Sequence, residues 1–90
     1  MAKAHVDPGE LRRFARDLTR FSSELQSLLA GLHGRMLALE KTWHDQEQVR
    51  FAEEFTQTMK SLSRFFEAAD RHVAFLNKKA SHIEEYLQQK

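Results

Sequence analysis

From Ala52 to Leu87 the apolar residues Phe55, Met59, Leu62, Phe66, Ala69, Val73, Leu76, Ala80 and Ile83 recur at alternating steps of three and four without a fault. A strand would need a step of two, so this stretch is confined to an α-helix that keeps one apolar seam turned towards a neighbour. Neither Gly nor Pro occurs after Gly34. Nothing therefore punctuates the pattern, and the spacing predicts an uninterrupted helix over about 46–88, roughly 65 Å long at 1.5 Å per residue. Phe51, Phe65 and Tyr86 each stand one position before a seam residue and widen the stripe on one side.

The first half of the chain carries a second helix, over about 8–41. Its start is marked by Asp7 at the N-cap, Pro8 at the first helical position and Glu10 at the third. That pattern fits a capping box, with Val6 and Leu11 placed for a hydrophobic staple. Leu11, Phe14, Leu18, Phe21, Leu25, Leu28 and Leu32 form the expected seam, widened by Leu29. Met36, Leu39 and Trp43 follow at four, three and four, which reads as a stutter after Leu32. Gly31 and Gly34 flank the shift. They admit three readings: a weakened helix, a close approach by a neighbouring helix, or a break with Gly34 as a C-cap.

Between the two patterns lie Trp43, His44 and Asp45, in a turn over about 42–45. Asp45 suits an N-cap for the second helix, with Gln48 at its third position. Two long amphipathic helices joined by a few residues fold back on each other as an antiparallel hairpin. The 90 residues then make a single all-α domain. The stripe on the second helix is wider than one neighbour can cover, and burying each aromatic is worth about 2–3 kcal/mol. The hairpin is therefore expected to dimerise, with itself or with a similar chain, into an elongated four-helix bundle. Leu18, Phe21, Leu25 and Leu28 of the first helix and Phe51, Phe55, Leu62, Phe65 and Phe66 of the second are the expected core and dimer residues.

Composition removes several functions. There is no cysteine, which excludes disulfides, thiolate metal sites and cysteine nucleophiles. The net charge is +1 with both signs interspersed, so no phosphate-binding field forms and nucleic acid is not an expected partner. No apolar run approaches the roughly 18 residues of a spanning helix. The mixed-sign polar face also argues against an interfacial membrane helix. The N-terminal residues lack the apolar stretch of a secretory signal peptide.

Catalytic and metal chemistry are poorly served. His5, His33, His44, His72 and His82 are dispersed with no pair at i and i+4, whereas a metal needs converging ligands. His72 alone stands in the flanking row between Phe65 and Tyr86, where protonation could tune an interface. The adjacent carboxylates Glu53–Glu54 and Glu84–Glu85 point in different directions on a helix, and the serines have no base or oxyanion signature nearby. No glycine-rich phosphate loop is present. The expectation is a non-enzymatic protein without cofactors.

The Trp43-His44-Asp45 turn between two long helices, followed by Phe51 and Phe55, resembles the WXG100 (ESAT-6-like) family of small type VII secretion substrates over nearly the whole chain. Trp43 matches the family tryptophan and Phe51 the aromatic about two turns later. This chain is a divergent case, with Trp-x-Asp in place of Trp-x-Gly. The family's tail signal, a tyrosine followed four residues on by an acid, corresponds here to Tyr86 followed by Lys90. The resemblance implies a helical-hairpin dimer that leaves the cell without a signal peptide, or acts as carrier to a paired WXG100-like chain. An FtsK/SpoIIIE-type ATPase would drive export. It also implies a composite recognition surface, with Trp43 and the turn as one half and the partner's residues near Tyr86 as the other. The rival reading is a cytoplasmic four-helix scaffold or adaptor.

Overall fold

The computed structural model describes residues 6–89 and contains two helices, α1 (Pro8–Glu40) and α2 (Gln46–Gln88), folded back on each other as an antiparallel hairpin. The molecule is a rod of 68 × 22 × 17 Å. Its radius of gyration is 20.3 Å, against about 12 Å for a compact domain of this length.

Local chemistry sets the helix ends. Asp7 adopts extended backbone and its carboxylate accepts from the Gly9 N–H at 2.8 Å, with Pro8 opening the helix. Asp45 repeats the device, accepting from the Gln48 N–H at 2.9 Å. In both cases the cap is one-sided. Among the described residues no Glu10 or Gln48 side chain returns a hydrogen bond to the cap, so the expected capping boxes are only half made. Val6 and Pro8, at the mouth of the hairpin, line a cleft with Ile83, Tyr86 and Leu87 of α2.

The inner row of α2 follows the expected seam, with Ala69 and Ala80 buried and Phe55, Met59, Leu62, Phe66, Val73, Leu76 and Ile83 half-buried. Only its last member, Leu87, is exposed. The inner row of α1 does not. Ala15, Ser22 and Met36 are buried and Leu11, Leu18, Leu25, Leu29 and Trp43 half-buried, whereas Phe14, Phe21 and Leu28 are 59%, 53% and 71% exposed. The seam expected through Phe14, Phe21 and Leu28 is therefore corrected by one residue, to Ala15, Ser22 and Leu29.

That correction also removes the stutter. Ala15, Ser22, Leu29, Met36 and Trp43 are each seven residues apart, an unbroken heptad row paired with Leu11, Leu18 and Leu25. The small residues Ala15 and Ser22 in α1 and Ala69 and Ala80 in α2 fill the contact. Side chains of that size let helix axes approach towards the lower end of the usual 8–10 Å.

α1 runs without interruption through Gly31 and Gly34, and no side-chain or foreign atom lies within 4 Å of a Cβ built at either. Neither the break nor the close approach occurs, so these glycines simply weaken an exposed helix surface.

Candidate functional site

The heptad rows divide the hairpin into two unlike edges. On one edge lie Arg12, Thr19, Gln26, His33 and Glu40 of α1 with Thr56, Ser63, Asp70, Asn77 and Glu84 of α2, all polar. Near the open end this edge is tied by Arg12. Its guanidinium donates to both Glu84 carboxylate oxygens, at 2.8 and 3.1 Å, and to the Ser81 hydroxyl at 2.9 Å. These hydrogen bonds hold the Glu84 carboxyl below its ordinary 4.5, with the charge of Arg12 adding to the effect and partial desolvation opposing it. The same pairing raises Arg12 above its own ordinary value.

The opposite edge is apolar. Phe14, Phe21 and Leu28 project from α1 and Phe51, Phe65 and Tyr86 from α2, all exposed. Phe21 and Phe65 meet across the edge in a T-shaped arrangement with centroids 6.2 Å apart, and Phe65 makes a second edge contact with Phe66 at 5.7 Å. Such pairs add about 0.5–1.5 kcal/mol beyond their buried area. Leu32, Leu39, Phe51 and Phe55, with Arg35 and Met36, line a shallow groove of about 170 Å³ nearer the turn. At the other end a cleft of about 490 Å³ lies between Val6, Pro8, Ile83, Tyr86 and Leu87, with Asp7 and Lys79 at its border. Apolar surface thus occurs at both ends and in the middle of this edge, interrupted on α2 by Thr58, His72 and Lys79. Leu37 and Val49 are the exposed apolar residues near the turn that fall away from it.

The turn itself is closed by local hydrogen bonds. The Trp43 N–H donates to the Leu39 carbonyl at 3.1 Å, so the chain leaves α1 through one more helical bond. The His44 Nε2 lies 2.7 Å from the Lys41 carbonyl, which accepts from it when that nitrogen carries the proton. Asp45 then starts α2. The Trp43 ring packs on Phe51 at 5.8 Å, and Phe51 on Phe55 at 5.9 Å, giving an aromatic ladder from the turn into α2. Trp43 is half-buried, so the ring is held in part by the hairpin and in part accessible. Asp45 has φ −116° and ψ −178°, and no described residue has positive φ. The turn therefore needs no left-handed residue, and an aspartate fits it without strain.

The structure brings together Trp43, Phe51 and Phe55, and separately Phe21, Phe65 and Phe66. Leu18, Leu25 and Leu62 lie in the seam between the helices. Tyr86 stands at the opposite end of the rod from Trp43, and its relation to Lys90 falls outside the described residues. Among the described residues no group of histidines and carboxylates converges on a metal position, and no helix is long and apolar enough to cross a membrane. The signal that sequence reasoning missed is the all-polar row through Thr19, Gln26 and His33, which distinguishes one edge from the other.

Comparison with known proteins accords with this architecture. A model of the WXG100 family, described as proteins of 100 residues with WXG, matches residues 3–86. No curated protein sequence matches. Among solved structures, the wild-type secreted protein EsxB from Bacillus anthracis str. Sterne is similar at 27% identity and a TM-score of 0.78, over 91% of this chain and 88% of that one. Selenomethionine-labelled EsxB from the same source is similar at 26% identity and a TM-score of 0.80, over 96% of this chain and 98% of that one. With the family model spanning nearly the whole hairpin, its central tryptophan included, the chain belongs to the WXG100 family.

Proposed function

We propose that this protein is a non-enzymatic helical hairpin that pairs along its apolar edge and is exported by, or acts as carrier within, a type VII-like secretion system. The observation that carries the pairing is the one-sided exposure of Phe14, Phe21, Leu28, Phe51 and Phe65. Soluble monomers rarely expose a contiguous apolar strip of this extent, and such strips mark association surfaces. The occupant is a second copy or a paired WXG100-like chain, and the product is a four-helix bundle. Membership of the family and the likeness to EsxB, a secreted protein, support export as the purpose of the assembly.

The recognition surface follows from the shape. In an antiparallel pair of rods the turn of one chain lies beside the open end of the other. Trp43, half-buried at the turn, then stands near the second chain's C-terminal segment around Tyr86. The two together form a surface that neither chain has alone, suited to a secretion ATPase of FtsK/SpoIIIE type. Large aromatics at such composite surfaces dominate binding.

The test is secretion. The protein is expected in culture supernatant of the native host, and to be lost from it on Trp43→Ala or on deletion of an FtsK/SpoIIIE-type ATPase of that host. Trp43→Ala should leave the purified protein helical and dimeric. A protein that stays in the cytoplasm of a strain with a working ATPase would instead be an intracellular scaffold.

A further inference from the structure

The apolar edge also carries charges, and they are sorted along the rod. On α2 the row of Phe51, Phe65 and Tyr86 includes His72 and Lys79. The row beside it, on the side away from α1, holds Glu47, Glu54, Phe75 and His82. Both acids stand before the helix midpoint at Glu67, and Lys79 and the two histidines stand after it. Glu54 and Lys79 are exposed. Among the described residues the ion pairs are Arg12–Glu84 and Arg20–Asp17, so neither Glu54 nor Lys79 is paired. Arg50, one turn before Glu54 in the outermost row, makes no ion pair with it. Lys79 has Phe75, Leu76, His82 and Ile83 at three and four residues along the helix, and no carboxylate. α1 sorts its edge charges in the same sense. Glu10 and Asp17 precede its midpoint at Glu24, and Arg35 follows it, lining the groove with Leu39, Phe51 and Phe55.

We propose that the occupant of this edge is a second copy of the same chain, set in antiparallel register by Glu54 of each protomer against Lys79 of the other. The inference rests on the pairing proposed above and adds which chain pairs and in what register. A twofold axis across the middle of the rod lays α2 beside α2 of the second copy, running the opposite way. Glu54 lies thirteen residues before Glu67 and Lys79 twelve after it. The two therefore come level, about 18–20 Å from the axis, and the symmetry makes the contact twice. On α1, Arg35 lies eleven residues after Glu24, while Glu10 and Asp17 lie fourteen and seven before it. Arg35 thus comes level with the stretch between the second copy's two acids. Glu24 meets its own copy at the axis, and Arg20, one turn away, offsets that charge. Helices acidic in their first half and basic in their second are their own complement when antiparallel. The apolar residues supply the affinity, and the sorted charges fix partner and register. In a parallel pair α1 would face α2, and Lys79 would meet the acids of α1 in place of Glu54.

The experiment compares full-length chains by sedimentation equilibrium at low salt, with circular dichroism to show that each variant stays helical. Wild type should be a dimer. Lys79→Glu and Glu54→Lys, each alone, should raise the dissociation constant about tenfold, because each sets two like-charge contacts across the interface. An equimolar mixture of the two variants, one of them fluorescently labelled, should form the mixed dimer with a constant within about threefold of wild type, since both pairs are restored. The double variant Lys79→Glu with Glu54→Lys should recover in the same way. Single variants that dimerise like wild type would overturn the assignment and leave the pairing standing. So would a mixture no tighter than its components, which is the result a parallel pair gives. A folded wild-type monomer would remove the pairing itself and leave the edge to a different chain.

Discussion

Ala15 and Ser22 show how a residue's size hides its place. Phe14 and Phe21 are bulky and apolar, so a pattern reading assigns them to the core, yet both face outward and the small residues beside them are buried. Two helices in close contact need small side chains at the crossing, and an alanine or serine carries little hydrophobic signal. Ser22 also carries a cost. Its hydroxyl is buried with no hydrogen-bond partner, and an unsatisfied group of this kind costs about 1–3 kcal/mol. Ser22→Ala should therefore raise the unfolding free energy by about 1 kcal/mol in urea titration. Ser22→Leu should lower it by about 1–3 kcal/mol through overpacking. A stabilising Ser22→Leu would mean that the helices are not in close contact there. Asp45 is the legible counterpart. Its role as a cap was readable from its position before Gln48, and its extended backbone makes the cap its main contribution. Asp45→Ala should cost about 1 kcal/mol and Asp45→Gly only a few tenths. A larger loss with Gly than with Ala would argue against the capping role.

At the level of elements, α2 was legible almost residue by residue, because its seam is continuous and lacks helix breakers. α1 was legible in extent but not in orientation, since three rows of it are apolar or small and periodicity cannot rank them. The rank comes from α2, which fixes which rows face inward. Gly31 and Gly34 illustrate the same limit: sequence left three readings open, and the open space around both decides among them. Gly31→Ala and Gly34→Ala should each stabilise the protein by about 1 kcal/mol, additively within error in chemical denaturation. A destabilising alanine would reveal a partner packed against that surface in the assembled state. The Arg12–Glu84 clasp adds a pH-dependent term at the open end. Because Arg12 holds Glu84 below its ordinary 4.5, its stabilisation is complete above that value and is lost as pH falls through the lowered one. The melting-temperature gap between wild type and Glu84→Gln should accordingly be present at pH 7 and close as the pH falls below 4.5 and Glu84 protonates. A gap independent of pH would mean the clasp acts through shape and not charge.

The whole molecule is too exposed to be a finished structure. Its accessible surface is 7322 Å², whereas a compact monomer of this mass exposes about 5,500 Å². The difference exceeds the roughly 800 Å² that each partner buries in a standard interface. The excess is unevenly distributed, since one edge is polar throughout and the other presents Phe14, Phe21, Leu28, Phe51 and Phe65. An isologous antiparallel pair would superpose that edge on itself, so each change on it is felt twice. Phe21 and Phe65 touch near the middle of the strip, where anchors contribute most. Phe21→Glu with Phe65→Glu should raise the dissociation constant at least about thirtyfold, equivalent to some 2 kcal/mol. Sedimentation equilibrium at micromolar concentration should then show monomer in place of dimer. Gln26→Glu, on the polar edge, should leave the dimer intact, which separates loss of an interface from general destabilisation. A wild-type protein that sediments as a folded monomer at the same concentration would remove the dimer. The apolar edge would then have to be covered by a different chain, and the composite surface near Trp43 would need that chain's tail.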